Sequence, residues 1–137
     1  MFEEYEAGSR ELDGRWLVPG CLDAYTEIAY SLYDPEEDGK PTTAAKGAAW
    51  DDSMKWLTAG MNVLQVSLPY PFRGAISYRT RTGVSVHRLI YAYASTLQLM
   101  QPKAAKSWFR AMVFLDPDDA MGARFHIRGA ANRNTMD

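Results

Sequence analysis

The side chains with the most obvious chemistry in this 137-residue chain are two histidines, a serine beside one of them, an alternating set of carboxylates and a run of arginines. Ser85 and His87 lie in the stretch GVSVH at 83–87, which brings a hydroxyl near an imidazole, the first requirement for an activated nucleophile. The second glycine of a nucleophile elbow is absent and no third member follows, so hydrolysis is not expected. His87 and His126 stand far apart, without paired cysteines or a second histidine one helical turn away, so the strong zinc spacings are missing. Asp34, Glu36, Asp38 and Gly39 begin like a calcium-binding loop, but the twelfth position is Ala45, where a bidentate carboxylate is required, and Pro41 disturbs the register. The better reading is a solvated acidic loop. No two glycines are separated by a single residue and no Gly-Lys-Ser/Thr occurs, so no phosphate-cradling loop is expected. Asp51-Asp52 and Asp118-Asp119 suit helix beginnings or exposed faces rather than acid–base work. The expectation is a non-enzyme with no cofactor and no bound metal.

Charge carries more information than any motif. Residues 1–52 hold 13 acidic and 4 basic side chains, residues 53–115 hold none and 8, and residues 116–137 hold 4 and 3. A net charge of −2 therefore conceals a molecule polarised along its sequence, which favours steering of a charged partner. Arg73, Arg79, Arg81 and Arg88, interleaved with Tyr70, Phe72 and Tyr78, combine phosphate neutralisation with stacking surfaces, a pattern suited to single-stranded nucleic acid. The acidic first third and a pI near 5.7 argue against a dedicated nucleic-acid domain. The preferred use of the same charges is recognition of protein: Arg73, Tyr78, Arg79, Arg81 and Arg88 toward an acidic partner, and Glu36, Glu37 and Asp38 toward a basic one, including other copies of the chain. Nucleic-acid association through 73–88 is the alternative.

The elements that position these residues read as helices. Leu22, Tyr25, Ile28, Ala29, Leu32 and Tyr33 recur at helical spacing and predict a helix from about Pro19 to Tyr33, stopped by Asp34-Pro35. The following DPEEDGKPTT predicts a loop, with Thr42 or Thr43 as the cap of the next helix. Trp50, Met54, Leu57, Met61, Leu64 and Leu68 alternate spacings of four and three, the seam of a helix packed on another, over about 43–67. After Pro69 and Pro71 the sequence reads either as a small β-hairpin over 75–87, turning at Thr82-Gly83, or as a long loop or short helix. Helical patterning returns over 86–100 and 102–115, with Pro102 suited to a first turn, and a short closing helix is expected to about Ile127.

The pair spanning 86–119 resembles a tetratricopeptide repeat, through Ile90, Tyr93, Ala94 and Leu97 on its first helix, Ala105 and Phe109 on its second, and the closing LDPDDA at 115–120. The resemblance implies a binding module, since such repeats build concave surfaces for peptides or helices. With one repeat visible, the earlier helices or a second subunit must complete the core.

The whole is expected to be all-α, built of antiparallel helical hairpins, with residues 1–128 as one domain and 129–137 as a flexible tail. The longest weakly polar run, Trp56 to Tyr70, is interrupted by Thr58, Asn62, Gln65 and Ser67, so no membrane span is expected. An acidic N-terminal stretch unlike an export signal and a lone Cys21 favour the cytoplasm.

Overall fold

The computed structural model describes residues 19–68 and 74–127. Among the described residues the fold is all-α: α1 Pro19–Leu32, α2 Pro35–Asp38, α3 Ala44–Ser67, α4 Arg81–Gln98 and α5 Pro102–Leu115, followed by a helical turn at 123–127. Arg73, Tyr70, Phe72 and the expected tail at 129–137 lie outside the described residues.

Local chemistry sets the boundaries. Thr43, in extended conformation, accepts the Lys46 amide at 3.1 Å and starts α3. The stretch 34–43, expected as loop, contains one helical turn. Asp34 caps it by accepting the Glu36 amide at 3.0 Å, and Pro35 occupies the first helical position, where its missing amide costs nothing. Tyr33 is buried and its hydroxyl bonds to the Gly39 carbonyl, tying this turn back to the end of α1.

The β-hairpin over 75–87 does not form. Thr80 accepts the Gly83 amide at 2.8 Å through its hydroxyl, which nucleates α4 at Arg81, five residues before the expected start. Thr82-Gly83 is therefore the first turn of a helix rather than a hairpin turn. Gly83 answers a packing demand: a Cβ there would collide with the Ser77 carbonyl of the segment laid across the helix start.

Cross-helix contacts give the topology. Ser53 donates to the Ala29 carbonyl and Tyr25 packs on Trp56, so α3 runs antiparallel to α1. Trp50 donates to the Thr96 carbonyl at 2.9 Å while Gly60 lies against Leu89, so α4 runs antiparallel to α3. Tyr91 meets Phe109 and Tyr93 meets Trp108, so α5 runs antiparallel to α4. Arg88 reaches Glu27, and Tyr30 and Tyr91 line one cleft, so α1 and α4 are parallel neighbours.

The seam read on α3 is present, with Leu57, Met61 and Leu64 buried and Met54 and Leu68 partly so. A second row escaped the sequence reading: Ser53, Gly60 and Ser67 are also buried, one small residue every second turn. At Gly60 an added Cβ would stand 2.9 Å from the Tyr25 Cβ, so this glycine lets α1 approach closely. Leu89, Ala94, Ala105 and Phe109 join Leu22, Ala29 and Leu57 in one apolar cluster. Each large member contributes about 1.5–3 kcal/mol by leaving water. No helix among the described residues is long and apolar enough to cross a membrane.

Candidate functional site: the face shared by α1 and α4

Parallel neighbours place equivalent faces side by side. The outward face of α1 carries Glu27, Tyr30 and, through α2, Asp34 and Glu36; that of α4 carries Arg88, Tyr91 and Ser95. Tyr30, Asp34, Pro35, Glu36, Tyr91 and Ser95 line a cleft of about 170 Å³. This is below the roughly 300 Å³ at which pockets for small organic ligands begin, and suits a single side chain.

The cleft is aromatic on its walls and negative at its rim. Burial pushes the Tyr30 hydroxyl up to about 12, and Tyr91, Asp34 and Glu36 push in the same direction while Arg88 opposes them. Burial also raises Tyr91; the nearby Ser95 hydroxyl acts the other way and Glu36 adds to the rise. Ser95 Oγ is nonetheless buried without a hydrogen-bond partner among the described residues. Arg88, the nearest cation, is engaged with Glu27 at 3.9 Å.

His126 packs against Tyr91. Its Nε2 lies 2.9 Å from the Tyr91 hydroxyl, and its ring stacks on Phe109 with centroids 4.2 Å apart and planes 4° from parallel. Burial lowers its pKa, against the weaker pull of Glu36 and Asp119. It reaches this position because the 123–127 turn is capped by Asp119, whose carboxylate accepts the amides of Ala123 and Arg124 at 2.7 and 3.0 Å. The negative charge expected at this helix start is therefore supplied by Asp119.

The structure separates the sequence candidates into four groups. Glu36 lines this cleft and Arg88 stands beside it, paired with Glu27. Glu37 is exposed on α2, and Asp38 turns back to accept the Asp34 amide at 2.9 Å. Arg79 and Arg81 are exposed beside the start of α4, with Arg79 3.6 Å from Asp118. Tyr78 packs edge-on against His87. The basic side chains are thus not sealed beneath carboxylates, since Arg79 keeps 79% of its side chain exposed. Pairs this exposed contribute little.

Ser85 and His87 are both buried, His87 at 1% exposure, and the imidazole Nε2–H donates to the Ile76 carbonyl at 2.6 Å. That histidine is a structural donor. Sequence reasoning missed Tyr30, Tyr91, Ser95 and His126 as a group, because the signal is a contact between α1, α4 and the 123–127 turn rather than a spacing. Among the described residues no cluster of three or more His, Cys, Asp or Glu side chains is arranged to hold a metal.

Comparison with protein families, with curated proteins and with solved structures finds no match to this chain.

Proposed function

We propose that the chain is a non-catalytic protein-recognition module of tetratricopeptide-like character, which takes an extended or helical segment of its partner on the face shared by α1 and α4. The observation that supports this best is the parallel pairing of those two helices, each the first member of an antiparallel hairpin, with a cleft of side-chain size between them. Stacked hairpins of this kind bury a continuous core and leave the first helices of successive units on one face. The residues that carry the resemblance suit that role: Ala94 and Ala105 are fully buried where the two helices approach, and Phe109 fills the space behind them. Here α1 and α3 cover α4, and the 123–127 turn stands where a third unit would begin.

Nucleic-acid association is the second reading. Exposed Arg79 and Arg81 favour it, but Arg79 and Arg88 have carboxylates within reach, which lowers the charge a phosphate backbone would meet.

The test is selection of peptides from a random display library on the full chain, followed by amide-shift mapping of the selected peptides on the isotope-labelled protein. Shifts concentrated in 27–36 and 88–95 are expected. Failure to enrich any peptide, or shifts confined to α5, would remove the proposal. A labelled oligonucleotide titrated at low salt covers the second reading, with saturable binding that weakens steeply as salt rises as its signature.

A further inference from the structure

Resting on the recognition face just described, we infer that the cleft between Tyr30 and Tyr91 is a pocket for one arginine side chain of the bound partner segment. Three independent features converge on that occupant. The cleft encloses about 170 Å³, which admits one long side chain and little else. Two tyrosines and two carboxylates, Asp34 and Glu36, line it, so an entering cation meets aromatic side chains and counter-charge. Ser95 also lines the cleft, and its hydroxyl, once rotated toward the opening, is an acceptor for a guanidinium N–H.

The local charges favour the same sign of guest. The carboxylates of Asp34 and Glu36 act on Tyr30 and outweigh Arg88 there. Arg88 does not fill the cleft, because its guanidinium is directed to Glu27 across the α1–α4 junction. Asp34 spends one carboxylate oxygen on the Glu36 amide, which fixes the orientation of the rim. Arginine suits the site better than lysine because its flat guanidinium stacks on aromatic rings and donates in several directions at once. A carboxylate or phosphate guest would instead meet Asp34 and Glu36 directly.

The probe is a blocked Gly-Gly-Arg-Gly-Gly pentapeptide, titrated into the full isotope-labelled chain beside the same peptide carrying citrulline, which keeps the shape and removes the charge. Saturable shifts at Glu36, Tyr91 and Ser95 are expected from the arginine peptide, with affinity roughly tenfold above that of the citrulline peptide. Glu36→Gln and Tyr91→Leu should each reduce binding about three- to tenfold. Ser95→Ala, which leaves the walls in place, should also weaken it. Equal affinity for the two peptides, or shifts from the arginine peptide that avoid these residues, would overturn the assignment. Library-selected peptides that map to 27–36 and 88–95 but need no arginine would overturn the pocket while leaving the recognition face standing.

Discussion

Two histidines, one on α4 and one packed against it, separate what holds this molecule together from what it offers outward. Around His87 the chain is closed. The imidazole donates to the Ile76 carbonyl, the Ile76 amide donates to the Leu115 carbonyl at 2.9 Å, and Thr80 caps the helix that carries His87. The 74–80 segment is thereby fastened to α4 and to the end of α5. Around His126 the arrangement is open: a half-buried ring pairs with Tyr91, which lines a cleft with two carboxylates and a serine hydroxyl that has no hydrogen-bond partner among the described residues. Satisfied polar groups stabilise a fold.

The contrast can be broken most sharply at Gly83. Gly83→Val forces a side chain into the Ser77 carbonyl, and should lower unfolding free energy by about 3 kcal/mol or more in chemical denaturation. His87→Leu comes next: it keeps apolar volume but leaves the Ile76 carbonyl without its donor, at a cost of about 1–3 kcal/mol in the same measurement. Ser95→Ala should change stability by less than about 0.5 kcal/mol, because the hydroxyl it removes has no partner among the described residues to lose. A large loss there would mean that Ser95 belongs to the fold.

The two ends of the pH range sharpen the open region further. The folded-state pKa of His126 is depressed, so its contribution to stability is present above the unfolded value near 6.5 and is lost as pH falls through the lower folded value. His126→Phe should flatten that acid limb in denaturation midpoints measured from pH 7 to pH 4. Tyr30 behaves with the opposite sense. Its folded pKa is raised, so its contribution is complete below the unfolded value of 10.0 and is lost as pH rises through about 12. Tyr30→Phe should remove this alkaline loss in denaturation midpoints followed from neutral to strongly alkaline pH.

Much of the scaffold was legible in the sequence because helix periodicity and stop signals are local. Asp34-Pro35 ended α1, Thr43 opened α3, and Pro102 opened α5 where each residue's own chemistry required it. The start of α4 was obscured by alternation. Val84 and Val86, with Thr80 and Thr82, read as strand, yet a single side-chain cap at Thr80 was enough to wind them into helix. Ser53 and Gly60 were visible but have meaning only once α1 lies on them. Glu36 and Arg88 were legible by charge. Tyr30, Tyr91, Ser95 and His126 were not, because their relation depends on α1 and α4 being parallel, and parallel neighbours leave no mark in the spacing of either helix.

The central claim is that recognition belongs to the α1–α4 face and structure to the segment around His87. Hydrogen exchange of the full chain with and without a saturating library-selected peptide tests it most directly. Added protection in 27–36 and 88–95, with 74–87 unchanged, is the predicted outcome; protection centred on 74–87 or on α5, with the α1–α4 face unaltered, would contradict it.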